Sequence, residues 1–197
     1  MKRTLIVFSM ILSVSAAFGA DKDKRLSVGK AESYATKQAQ GKVIVAAVPY
    51  VNDDELKEAF GKANPYKFGI LPVMVIVQND SDKALRLDLK AEYVDPQGKH
   101  IEAIPPGEVG FEGKAPSRPP VPGTNPIPLP KKKNPMLGSW EIVGRAFSAR
   151  MAPAGESVSG FVYFHTPLQP GSMLYLNGLS EAQSGKELFY FEIPLTR

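Results

Sequence analysis

The sequence predicts a mainly β protein, an antiparallel β-sandwich with one short helix at about 53–60 and a long proline-rich loop at 105–135. Three observations predict it. Residues 85–93 alternate strictly between apolar and charged side chains, the pattern of a strand with one face on a core and one in water. Residues 70–77 are almost continuously apolar, as in a strand buried on both faces. Turn signals recur between the apolar runs, and 17 glycines with 18 prolines in 197 residues exceed the combined average of about 12%.

The first 19 residues read as a cleavable signal peptide. Lys2 and Arg3 give the positive n-region, and Leu5 to Ala17 give an apolar h-region shorter than the ~20 residues of a membrane span. Cleavage after Gly19 places the small Ala17 three positions upstream, and cleavage after Ala17 places Ser15 there. The bulky Phe18 disfavours cleavage after Ala20. Export to the periplasm or beyond is the expectation. Residues 20–42 are polar and read as a mobile leader, in which 31–40 make at most a marginal helix. A single sandwich domain is expected over 43–197.

Val43 to Val48, ended by Pro49, reads as the first strand. Asn52 starts a helix: it can cap, Glu55 can reach back to it, and Asp53 and Asp54 suit the positive end of the dipole. Leu56, Ala59 and Phe60 form its apolar face, and Gly61 stops it. These acids lack the spacing and central glycine of a calcium loop. After the strand at 70–77, Asn79 to Asp82 is a turn cluster. The alternating strand at 85–93 runs into the tight turn Asp95-Pro96-Gln97-Gly98, and His100 to Ile104 returns beside it.

Ten of the 18 prolines lie in 105–135. Proline cannot donate to a ladder, so this is an extended, partly polyproline-II loop. Arg145 to Met151 reads as a strand after a helical turn, Val158 to Phe164 as a second, Met173 to Leu176 as a third and Leu188 to Ile193 as the last. The aromatic residues crowd these final strands; core filling accounts for about half of them, and the outward remainder would form a contact patch.

A looser pattern lies over this. Asn79-Asp80-Ser81 follows a valine-rich strand, Asp95-Pro96-Gln97-Gly98 closes a hairpin, and Pro153-Ala154-Gly155-Glu156 precedes Gly160-Phe161-Val162-Tyr163-Phe164. Over about 70–194 this resembles the exported immunoglobulin-like sandwich domains of bacterial envelope proteins. The resemblance implies architecture only: the paired cysteines of antibody domains are absent. The insertion at 105–135 and the strand and helix at 43–60 depart from it.

Charge and chemistry narrow the function. The net charge is +4, and Lys2 with Arg3 in the signal supply two of those charges. The remainder is too balanced for a nucleic-acid protein. The chain has no cysteine, which excludes disulfides and a lipid-bearing cleavage cysteine. His100 and His165 are the only imidazoles, with no G-x-S-x-G elbow, so no catalytic triad assembles. His100 with Glu102 is too few ligands for zinc. Asp88 with Glu92, or Asp53 with Asp54, would be the carboxylate pairs for glycoside hydrolysis, and each is explained as a solvated strand face or a helix start. Asn79-Asp80-Ser81 matches a glycosylation acceptor and reads as a turn. No phosphate-binding loop is present, and no catalytic residue, metal or cofactor is expected.

The expected function is therefore an exported, noncatalytic binding or structural domain of the cell envelope, acting by protein–protein contact through a sheet face or the proline-rich loop. In that loop the candidate partner-binding residues are Arg118, Pro119, Pro120, Pro122, Pro126, Pro128 and Pro130, a preordered strip for an aromatic groove, with Lys131, Lys132 and Lys133. The lysines would also make weak contact with anionic lipid or acidic glycan. The alternatives are a hydrolase, which needs His100 or His165 in a pocket beside carboxylates, and a carbohydrate-binding module, which needs two or three exposed coplanar rings.

Overall fold

The structure is a computed structural model that describes residues 26–109 and 140–196. Residues 1–19, read above as a signal peptide, and the candidate loop residues 118–133 lie outside them. Two antiparallel sheets pack face to face. The first has the order β1 (Lys37–Gln40), β2 (Val43–Pro49), β3 (Leu71–Asn79), β7 (Ser157–Phe164). The second has the order β5 (His100–Glu102), β4 (Leu85–Val94), β8 (Met173–Glu181), β9 (Phe191–Pro194), with the two-residue β6 (Met151–Ala152) also paired to β4. The helices among the described residues include α1 (Asp53–Phe60) and the short α2 (Trp140–Gly144). Among the described residues no helix is long and apolar enough to cross a membrane.

The alternation in β4 fixes its register. Leu85, Leu87, Ala91 and Tyr93 are buried, and Arg86, Asp88 and Lys90 are exposed. Its inner side chains meet Val73, Val75 and Val77 of β3 with Leu174, Leu176 and Phe191, forming the core between the sheets. The other side of β3 is also covered. Met74 and Ile76 pack with Phe161 and Tyr163 of β7 beneath Leu56, Ala59 and Phe60 of α1, making a second core. Sheet, sheet and helix form three layers with β3 in the middle, which is why all nine of its residues are buried.

Local chemistry sets the connections. Asn52 accepts the amide of Asp54 at 2.9 Å and so caps α1, while Gly61, at φ +62, donates to Lys57 O and ends it. Asp95 Oδ1 accepts the amides of Gln97 and Lys99 at 2.9 and 2.8 Å, closing the β4–β5 turn. Asn79 is fully buried. Its amide donates to the carbonyls of Lys83, Ala152 and Pro153, and its oxygen accepts the Ser81 hydroxyl at 2.6 Å. A side chain so committed is a structural tie between turns and is shielded from modification in the folded state.

Three stretches differ from expectation. The stretch read as a leader contributes a 3-10 turn, Ala31–Ser33, and the edge strand β1, whose residues Lys37 to Gln40 pair with Ala46 to Val43. Its polar composition hides this because an edge strand buries little. Residues 145–151, read as a strand, change sheets instead. Arg145 O and Phe147 N bond to Phe161 on the β7 edge, and Arg150 O then accepts Leu87 N in the other sheet. A segment that crosses the sandwich cannot stay on one ladder. The last strand begins at Phe191, because Leu188 bonds to Leu179 and the chain then swings outward through Phe189 and Tyr190.

The second core makes a testable statement about pH. Burial pushes the Tyr50 phenol up to about 12, and burial raises Tyr163 further. In the unfolded chain both ionise near pH ~10. The folded state therefore holds protons that the unfolded state loses above pH ~10, and stability falls with rising pH from there toward 12. From neutral pH upward, urea midpoints should hold level to pH ~10 and decline above it, and Tyr50→Phe should reduce the decline.

Candidate functional site

Neither histidine occupies a cleft of catalytic form. His100 is exposed on β5, with Nδ1 2.5 Å from Glu92 Oε2 on the neighbouring strand. His165 is exposed at the end of β7. Neither lines the cleft beside α1 or the cleft on the five-stranded sheet, and among the described residues no group of three or more His, Asp or Glu side chains gathers as a metal site would require. Glu102, on the same face as His100, stands directly opposite Glu92 rather than completing a ligand set.

The first cleft, of about 1000 Å³, lies between α1 and α2 and is lined by Lys57, Glu58, Lys62, Glu141 and the exposed Trp140. Its charges alternate in sign, as on a solvated helix face. The second, of about 510 Å³, opens on the outer face of the five-stranded sheet. Tyr175 on β8 and Tyr190 before β9 stack at 5.2 Å with their planes 26° apart. Phe189, beside them, is 81% exposed and Tyr190 is 48% exposed, making them the aromatic surface that core packing leaves over on the last strands. The rings are stacked, not laid side by side in one plane. The edge of His100 approaches Tyr175 at 6.0 Å.

Backbone irregularity builds this second cleft. The β4–β8 register shifts between Leu87 and Lys90, a β-bulge opposite Gly178. Gly178 has φ +87, and a Cβ there would lie 2.1 Å from Asp88 O. Only glycine permits that approach. The bulge brings Asp88, Lys90, Asn177 and Ser180 to the cleft, and Glu187 joins them from the turn before β9. Asp88 is held by Arg86 at 3.0 Å, with Arg150 at 3.8 Å. The side chains of Lys90, Asn177, Ser180 and Glu187 make no hydrogen bond or ion pair among the described residues.

Contacts cover the β9 and β7 edges of the two sheets. Gln38 Oε1 accepts Glu192 N at 2.6 Å and Gln40 Nε2 donates to Tyr190 O at 2.7 Å, tying β1 to the β9 side. On the other flank Ile104 N bonds to Tyr163 O at 2.7 Å, and 145–147 covers the middle of β7. These contacts occupy edge groups that strand addition would need.

No protein-family model and no curated protein matches the chain. Among solved structures it is similar to the putative ApaA protein from Bordetella pertussis, at 13% identity and a TM-score of 0.34, over 78% of this chain and 88% of that one. It is also similar to Northeast Structural Genomics Consortium target SoR45, at 13% identity and a TM-score of 0.33, over 79% and 87%. Both likenesses are distant, and nothing about fold or function follows from them.

Proposed function

We propose that this protein is an exported, noncatalytic, immunoglobulin-like binding domain of the cell envelope that engages its partner with the outer face of the five-stranded sheet. The observation that carries the reading is the pair of exposed rings, Phe189 and Tyr190, beside the half-buried Tyr175 over a bulged floor. Large apolar rings left in water are the kind of surface that protein contacts use. Two features support the noncatalytic part: the two histidines stand at separate exposed positions, on β5 and just after β7, and neither lines the cleft with its carboxylates. The proline-rich segment, the other candidate surface, lies outside the described residues, so the sheet face bears the proposal.

Co-sedimentation with purified cell envelopes tests it. The wild-type protein should pellet with the envelope, and Phe189→Ser with Tyr190→Ser should stay in the supernatant. Because both residues are substantially exposed, the double variant should keep its stability within about 1 kcal/mol. Equal pelleting by both proteins would remove this face from the account.

A further inference from the structure

Strand register on the same face defines the kind of partner it suits. Glu92 stands opposite Glu102 on β5 and opposite Tyr175 on β8, and Tyr175 stands opposite Glu192 on β9. Residues paired in this way share a face, so Glu102, Glu92, Tyr175 and Glu192 form one line across all four strands. We propose that the partner is a basic segment of an envelope protein, laid along this line as an extended chain with arginine or lysine side chains on the three carboxylates, an inference that rests on this sheet face being the binding face.

The line has one sign of charge. Glu102 and Glu192 are exposed, and neither makes an ion pair among the described residues. Glu92 is engaged by His100 Nδ1. The row on one side brings a single ammonium, Lys90 beside Asn177. The row on the other side holds His100 with Val94, Met173 and Pro194. The guanidinium groups of Arg86 and Arg150 lie farther along and are both drawn to Asp88. Glu92 and Glu102 stand directly opposite each other, a pairing of like charges that costs stability. A guanidinium or ammonium between them removes that repulsion, and an anionic surface adds to it.

Spacing and the rings fit the same occupant. Neighbouring strands lie about 4.8 Å apart, so the line runs roughly 14 Å from Glu102 to Glu192. An extended chain advances about 3.3 Å per residue, with alternate side chains on one side. Cations four residues apart therefore reach Glu102 and Glu192, and the side chain between them comes over Glu92 and Tyr175. Tyr190, stacked on Tyr175 and half exposed, stands beside the Glu192 end of the line together with the exposed Phe189. Ring faces attract a cation, and the methylene stems of arginine and lysine pack on apolar surface. The rings and the carboxylates thus suit one kind of side chain, apolar along the stem and positive at the tip. A ring already braced by its neighbour loses little freedom when it is covered, which favours binding.

The test is a titration of the isotopically labelled protein with a synthetic decapeptide that alternates arginine and threonine, followed by heteronuclear NMR. Counterpart peptides carry glutamine or glutamate in place of arginine. The arginine peptide should shift the resonances of Glu92, Glu102, Tyr175 and Tyr190 saturably, with a Kd of about 1 mM or tighter that weakens as salt is added. Glu102→Gln with Glu192→Gln should weaken that binding roughly fivefold or more, while the urea midpoint holds or rises. Arg150→Gln should not weaken it. Absence of saturable shifts with the arginine peptide overturns the proposal. So does binding of the glutamine or glutamate peptide as tight as that of the arginine peptide, or unchanged affinity in the doubly substituted protein. If envelope sedimentation depends on Phe189 and Tyr190 while the arginine peptide does not bind, the face is right and the partner's charge is wrong. If sedimentation is also indifferent to those rings, the face itself is wrong.

Discussion

Phe161→Ala is expected to remove about 3–5 kcal/mol of stability, the loss typical of deleting a buried aromatic side chain. Phe161 is 1% exposed and is the hub of the second core. Its ring lies 4.7 Å from Phe60 and 4.9 Å, edge-on, from Tyr50. Such pairs add about 0.5–1.5 kcal/mol beyond simple burial. This side chain is thus one of those that fasten α1 to the first sheet, with Met74, Ile76 and Tyr163. Against a total of roughly 5–15 kcal/mol for a domain, the loss brings the protein close to unfolding. Urea denaturation followed by tryptophan fluorescence and by far-ultraviolet circular dichroism measures it. Trp140 is 67% exposed at the start of α2, whose Ile142 joins this core, so circular dichroism is the primary readout and fluorescence the secondary one. Should Phe161→Ala prove too unstable to purify, Phe161→Leu, at about 1–2 kcal/mol, gives the same ordering against Phe189→Leu, which should cost less than ~0.5 kcal/mol. Equal losses at 161 and 189 would contradict the three-layer packing.

Gly178→Ala is expected to cost about 3 kcal/mol or more, combining a left-handed backbone at φ +87 with a backbone collision. The comparison is Gly185→Ala. Gly185 also has a positive φ, +68, but nothing lies within 4 Å of the added methyl. That variant isolates the conformational cost, about 1 kcal/mol. The difference between the two measures the close approach of β8 to Asp88 O in the bulge. The same change should disrupt the cleft, because Asn177 and Ser180 flank Gly178 and share its backbone path. A Gly178→Ala protein as stable as Gly185→Ala would mean that the bulge is absent.

Much of the architecture is readable in the residues. The strict alternation of 85–93 places β4 in the right phase, and the unbroken apolar run at 70–77 anticipates a strand covered on both sides. The cap at Asn52 and the stop at Gly61 bound α1. The features that the residues do not announce depend on distant partners. Strand β1, with the sequence Lys-Gln-Ala-Gln, has no apolar pattern because it serves as an edge. Residues 145–151 look like a strand because their side chains are suitable for one, yet they cross between sheets. The cleft is legible only as a surplus of aromatic residues. Parity along 188–193 would put Phe189 inward with Phe191. The outward swing after Leu188 reverses this, and Tyr190 meets Tyr175 across 15 residues only because β8 and β9 pair as they do. No local signal marks either event.

The binding surface is tested most directly by placing a photo-crosslinking benzophenone amino acid at position 189, and separately at Met151, which is 51% exposed elsewhere on the molecule, and irradiating each protein with its native envelope. An adduct that forms from position 189 and not from 151 is the outcome expected here. An adduct from 151 alone, or none from either, would contradict it.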